Sequence, residues 1–292
     1  MSLETERLDE ETVRALLPSR PIDGHKGTFG HLLSVCGSRG MAGAAQFAAE
    51  AAYRCGTGLV TAAMPASVYP IVTAGVPEAV CRLLPEEDAG GVAETAVDAL
   101  RDPLKKATAV LCGCGLGQGD GAAATLTWLL NNADCPLVID ADGLNLLSVH
   151  KDRVERSPDL CLTPHPAEAA RLLSMTVEAV ESDRPAAATA IARHYHAVVV
   201  LKGHETLIAA PEKPILQNHT GDDTLAKGGS GDILAGMIAG LTAQGMSLYD
   251  AAACAVYLHG LAGERAGRRL SRRGALARDV LEEEARLLSE FE

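Results

Sequence analysis

Two short segments of this chain carry the residue types that group transfer needs. The first is residues 225–232, Leu-Ala-Lys-Gly-Gly-Ser-Gly-Asp, which run straight into the apolar stretch 233–244. Gly228, Gly229 and Gly231 let the backbone come close to a ligand. With Ser230, the first-turn N–H groups of the helix that follows would form an anion seat at the positive end of its dipole. Asp232 stands one residue beyond that seat, where a carboxylate repels phosphate unless it has a task. The task that fits is taking the proton from a hydroxyl that attacks a bound phosphoryl group. The competing structural reading is a turn capped by Ser230 or Asp232, because acidic residues are favoured in a first helical turn anyway.

The second segment, residues 198–206, is a Val-Val-Val-Leu strand ending in Lys202 and Gly203, followed by His204, Glu205 and Thr206. A lysine there can reach phosphates and a threonine hydroxyl can bond a nucleotide; a solvated lysine at an ordinary strand end is the alternative. Other strand ends add candidates. Asp140 and Asp142 alternate past the run 136–140, and one of them reads as a helix N-cap. In Thr163-Pro164-His165-Pro166-Ala167-Glu168, two prolines fix the backbone so that His165 and Glu168 can project into a crevice, although a structural histidine and a capping glutamate are equally compatible. Gly113, Gly115 and Gly117 follow the strand ending at Cys112 with spacing for close ligand approach, a weak pattern alone. Residues 37–44 superficially suggest a dinucleotide turn, but lack its further glycine and a correctly placed acidic ribose ligand.

These residues need strands to carry them. Short apolar runs at 31–36, 59–64, 107–112, 136–140, 160–163 and 197–202 read as buried strands, and residues 43–55, 121–131, 166–173 and 177–195 as helices between them. That alternation predicts βαβ units and a mostly parallel sheet, with ligands beyond the carboxyl ends of its strands. Residues 206–209 and 215–218 read as a hairpin, and 231–244, 247–265 and 275–288 as three closing helices. A polar start followed by a helix over 8–17 reads as a lid or edge element. No repeat or linker divides the chain, so one domain over 1–292 is expected.

Composition agrees with helix-on-sheet layers: of 292 residues, 47% are hydrophobic but only 3% aromatic, so Ala, Leu and Val must fill the core. A net charge of −12 argues against nucleic-acid or anionic-membrane partners. The first ten residues lack an apolar signal region, and no run of about 18 apolar residues occurs, which predicts a cytoplasmic protein. Eight cysteines without a C-x-x-C pair read as buried free thiols.

In this order the segments resemble the nucleotide-dependent NAD(P)H-hydrate dehydratases of the ribokinase-like fold, over about residues 14–265. The resemblance rests on residues 25–31 (His-Lys-Gly-Thr-Phe-Gly-His), 37–44, 113–117, 140–145, 163–168, 202–206, 225–232 and 256–260. It implies a three-layer α/β/α fold and repair of nicotinamide cofactors hydrated at the 5,6 double bond. A nucleotide would phosphorylate the 6-hydroxyl, and elimination of phosphate would restore NADH or NADPH, with AMP released when ADP is the donor. The resemblance puts Lys202, Gly203, His204, Glu205, Thr206 and residues 228–231 on the nucleotide. It puts Ala44, Gly115, Asp140, His165 and Asp232 on the hydrated cofactor, with Asp232 catalytic, and Glu168 on Mg²⁺ through water. It further implies ADP or ATP as donor, a homotetramer, and a separate NAD(P)H-hydrate epimerase as functional partner, since 292 residues leave no room for a fused one. Cys114, where the family often has proline, and Asp222, where asparagine is expected, are departures that put ligand roles near residues 218–223 in question. A small-alcohol kinase of the hydroxyethylthiazole or pyridoxal type is the competing reading.

Overall fold

The computed structural model describes residues 4–150 and 158–291; the first three residues of the polar opening lie outside them. Ten strands form one sheet: β1 (Thr5–Leu8), β2 (His31–Val35), β3 (Leu59–Pro65), β4 (Val80–Leu84), β5 (Ala109–Cys112), β6 (Leu137–Ile139), β7 (Leu160–Leu162), β8 (Ala197–Leu201), β9 (Leu207–Ala209) and β10 (Ile215–Asn218). Their order is β1-β10-β9-β8-β7-β6-β5-β2-β3-β4. Among the described residues every pairing is parallel except the two made by β9. The expected hairpin is therefore present, as β9 and β10.

The N-terminus departs from expectation. Residues 5–8 pair in parallel with β10 as an edge strand, and only then does α1 (Glu10–Leu16) begin, capped by Asp9. Alternation in Thr-Glu-Arg-Leu is too short and polar to announce a strand, and the pairing exists only because β10 offers an open edge. The helix read over 177–195 is two, α8 (Val177–Ser182) and α9 (Arg184–Tyr195). Asp183 between them leaves the helical conformation (φ −150°, ψ 76°) and caps α9, whose second residue is Pro185.

The remaining helices are α2 (Ala42–Arg54), α3 (Tyr69–Gly75), α4 (Ala96–Lys106), α5 (Asp120–Asn132), α6 (Asp142–His150), α7 (Pro166–Leu173), α10 (Ser230–Ala243), α11 (Leu248–Leu270) and α12 (Ala277–Phe291). The sheet separates two buried clusters. Leu32 of β2 and Ala109 and Leu111 of β5 face α2, α10, α11 and α12. Leu33, Val35, Val110 and Cys112, the alternate residues, face α4, α5, α6, α7 and α9. This period-two division of buried strands gives three layers. Small residues let α10 lie directly on α2: a methyl added at Gly236 would meet the Ala48 carbonyl oxygen at 2.3 Å.

After β2 the chain runs outward to β3 and β4, then returns to β5 on the other side of β2. The loops leaving β2 and β5 diverge there, opening a crevice at the carboxyl ends of the strands. No helix among the described residues is long and apolar enough to cross a membrane.

Candidate functional site

The candidate residues meet at that end of the sheet because each follows a neighbouring strand. Asp140, 1% exposed, directly follows β6, and Lys202 directly follows β8. Lys202 Nζ lies 2.6 Å from Asp140 Oδ1 and 3.9 Å from Glu168 Oε2. The Thr163 hydroxyl, just beyond β7 between them, also donates to Asp140 Oδ1, at 2.6 Å. Burial works against the lysine charge, but Asp140 and Glu168 outweigh it and hold the Lys202 pKa above its ordinary value. Sequence reading passed over Thr163, although it occupies the position next to Asp140 on the adjacent strand.

The glycine loop closes over this pair, and its three glycines are there for different reasons. Gly229 begins α10 with φ +96°, and a methyl there would meet the Phe47 ring at 2.7 Å, so it serves chain path and packing. Gly228 faces open space. Gly231 is the one that approaches the charged pair: a methyl on it would stand 3.5 Å from Lys202 Nζ and 3.9 Å from Asp140 Oδ2. The first turn of α10 thus sits against the lysine, and N–H groups and cation converge on one point.

On one side of that point is a cavity of about 410 Å³, in the range of small-ligand sites. Lys202, Gly203, His204, Glu205 and Thr206 line it, with Ser230 and Gly231; Gly228 and Gly229 do not. Arg184 fixes the lining loop by donating to the His204 carbonyl and, at 3.2 Å, to the Leu201 carbonyl. Asn218, Thr220, Gly221, Asp222 and Asp223 also line the cavity. Their sequence carries no local ligand motif; they arrive because β10 runs back beside β9. Asp222 is occupied in accepting from Thr224 N, capping the 3-10 turn Asp223–Leu225.

Asp232 follows Gly231 in α10 and does not line that cavity. Burial, then the neighbouring Asp140 charge, push its carboxyl up to about 6. Cys114, Asp140 and Asp232 place ligand atoms within 4.8 Å of one another. The Cys114 thiol donates to Asp140 Oδ2 at 3.7 Å, and its own pKa is raised by a hydrogen bond with the free thiol of Cys36 and by burial. Gly115 packs against Ala44, where an added methyl would come within 3.0 Å of the Ala44 side chain, and Ser38 donates to its carbonyl at 2.8 Å. Asp142 accepts from Gly117 N at 2.9 Å, so it ties the loop down rather than facing a ligand alone.

His165 and Glu168 satisfy the capping alternative. His165 Nδ1 accepts from Ala167 N, and Glu168 Oε2 accepts from His165 N at 2.8 Å, a reciprocal cap on α7. With Nδ1 accepting, the ring proton is on Nε2, 3.3 Å from Glu168 Oε1. Burial raises the Glu168 carboxyl to about 7 against the opposing pull of Lys202. Burial and the Lys202 charge lower the His165 pKa.

Comparison with known proteins places this arrangement. The family model described as NAD(P)H-hydrate dehydratase matches residues 32–286. The bifunctional NAD(P)H-hydrate repair enzyme of Moorella thermoacetica is 41% identical over 271 residues, 92% of this chain and 51% of that protein. The chain therefore spans about half the length of that relative. The ADP-dependent (S)-NAD(P)H-hydrate dehydratase of Neisseria meningitidis is 43% identical, covering 84% of this chain and 80% of its own. The crystal structure of the ADP/ATP-dependent NAD(P)H-hydrate dehydratase of Bacillus subtilis, co-crystallised with ATP and Mg²⁺, superposes with a TM-score of 0.86 at 31% identity over the whole of both chains. A ribokinase-like superfamily protein of Enterococcus faecalis superposes with a TM-score of 0.85 at 26% identity, covering 98% of this chain and 96% of its own. The fold is ribokinase-like, and the chain belongs to the NAD(P)H-hydrate dehydratase family.

Proposed function

We propose that this protein is an ADP-dependent (S)-NAD(P)H-hydrate dehydratase that restores hydrated NADH or NADPH. One observation carries the reading: Lys202 and Gly231 line the cavity, and Asp232, the next residue along α10, interacts with the same Lys202 and Asp140, so a phosphoryl group held by Lys202 and Gly231 has a nucleotide in the cavity and a base in Asp232. The nucleotide occupies the cavity along Lys202, Gly203, His204, Glu205 and Thr206, with its phosphates against Ser230, Gly231 and the loop begun by Gly228 and Gly229. The hydrated cofactor lies along Ala44, Gly115, Asp140 and His165, and presents its 6-hydroxyl to Asp232.

Asp232 is suited to this. With a pKa near 6 it is ionised at neutral pH yet basic enough to accept a hydroxyl proton. The oxygen then attacks the terminal phosphorus of ADP, the bond to the bridging oxygen breaks, and AMP leaves. Phosphate then leaves C6 with its bonding electron pair while C5 gives up a proton to solvent, which re-forms the 5,6 double bond; phosphate is a far better leaving group than hydroxide. Lys202, fixed by Asp140, offsets charge on the transferred group.

Mg²⁺ would suit the carboxylate oxygens of Asp140 and Asp232, though not the Cys114 thiol beside them, and there it would neutralise phosphate charge. Glu168, whose two oxygens also meet His165, would reach such an ion through water. A homotetramer, a cytoplasmic location and functional pairing with an NAD(P)H-hydrate epimerase activity belong to the same reading. The pairing draws support from relatives named as bifunctional repair enzymes.

The test is absorbance at 340 nm on mixing the protein with NADH hydrate, Mg²⁺ and either ADP or ATP. A rise that requires nucleotide is expected. Folded protein that binds nucleotide but gives no rise would instead point to a small-alcohol kinase.

A further inference from the structure

The last two helices reach the glycine loop through a buried polar chain that starts at Ser230 and whose other members, His259 and Glu284, have no part in the steps above. The Ser230 hydroxyl, at the start of α10, lies 3.2 Å from Nε2 of His259 on α11. Nδ1 of the same ring lies 2.7 Å from Oε1 of Glu284 on α12. Ser230, His259 and Glu284 are 7%, 5% and 0% exposed, and the first two line the cavity. Glu284 Oε2 is buried without a hydrogen-bond partner. Burying such a group costs stability, and an apolar side chain would serve packing better.

Proton counting shows what the chain can do. One proton always lies between Glu284 Oε1 and His259 Nδ1. When the pair holds a second proton, as acid with imidazole or as carboxylate with imidazolium, Nε2–H donates to the Ser230 oxygen. The serine hydrogen is then free to point into the cavity. When the pair holds only one, Nε2 accepts from the serine and turns its hydrogen away. Burial opposes the Glu284 charge and raises its pKa, with the His259 hydrogen bond working the other way, and a phosphate arriving beside Ser230 favours the two-proton pair.

We propose that His259, held by Glu284, is a positioning residue that fixes the Ser230 hydroxyl as a hydrogen-bond donor to the phosphate of a bound nucleoside diphosphate. This rests on the nucleotide site proposed above.

The experiment is ADP binding by calorimetry, without hydrated cofactor, on native protein, Ser230→Ala, His259→Phe, their double variant, Glu284→Gln and Glu284→Leu. Ser230→Ala and His259→Phe should each weaken binding about tenfold, the weight of one hydrogen bond to a charged group. The double variant should be no weaker than Ser230→Ala. Glu284→Gln should keep native affinity, since its amide can donate to Nδ1 as the acid does, whereas Glu284→Leu should lose as much as His259→Phe. Additive losses, or native affinity in His259→Phe or Ser230→Ala, would overturn the proposal. If His259→Phe does not fold, Ser230→Ala and the near-isosteric Glu284→Gln still decide it. Failure of native protein to bind ADP would sink the nucleotide site itself, a result distinct from these.

Discussion

Replacing Asp232 by asparagine removes one proton acceptor and changes almost nothing in volume. As the base, Asp232 should account for about 10²–10⁴ in rate, so Asp232→Asn should lower nucleotide-dependent recovery of absorbance at 340 nm by that factor while ADP still binds. Stability should move the other way. Burial and Asp140 raise the folded-state pKa from 3.8 to about 6, so between those values the folded protein holds a proton that the unfolded chain has released. Stability therefore falls as pH rises through that window, and the loss is complete above about pH 6. Two pKa units correspond to about 3 kcal/mol, which the neutral amide recovers at pH 8 and which vanishes below about pH 4. The expected result is a poor enzyme that melts a few degrees above the native protein at pH 8 and level with it near pH 4. In native protein kcat/KM should decline below about pH 6. Turnover within a few-fold of native would remove Asp232 from the base role, and a lower melting temperature at pH 8 would refute the desolvation argument.

Lys202→Ala strips the cation from an aspartate that is 1% exposed, which should cost about 3–5 kcal/mol and weaken ADP binding at least tenfold. Thermal melts and calorimetry would check both, and unchanged values would mean that Asp140 does not depend on the lysine. Gly231→Ala should separate binding from folding. The added methyl clears Lys202 Nζ by 3.5 Å and alanine favours the helix, so the melt should hold or rise while ADP affinity drops; native affinity there would argue against the phosphate seat.

Much of this site is legible along the chain because its pieces are local. A glycine loop opening an apolar helix places N–H groups at a helix start wherever that helix lies, and an apolar run ending in Lys202 or Asp140 reads as a strand end. Parallel alternation then puts all strand ends on one side, which is why residues over a hundred positions apart could be expected together. Helix 166–173 was legible to the residue, because Pro166 and the His165–Glu168 cap act within one turn. Strand β1 was not, because its partner is an edge more than 200 residues away.

What only the tertiary structure decides is which charges share a low-dielectric space. Nothing near Asp232 in sequence predicts a pKa near 6; that comes from burial and from Asp140, brought in by β6. Asp140 is held by Lys202 and Thr163, from beyond β8 and β7. Residues 218–223 become a cavity wall only when β10 turns back, and Ser230 meets His259 and Glu284 only when two helices pack. The sequence determined the parts and the end of the sheet where they gather, because backbone preference and hydrophobic period are short-range. Pairing and protonation belong to the fold, because electrostatic energy depends on distance and burial, which the order of residues alone does not contain.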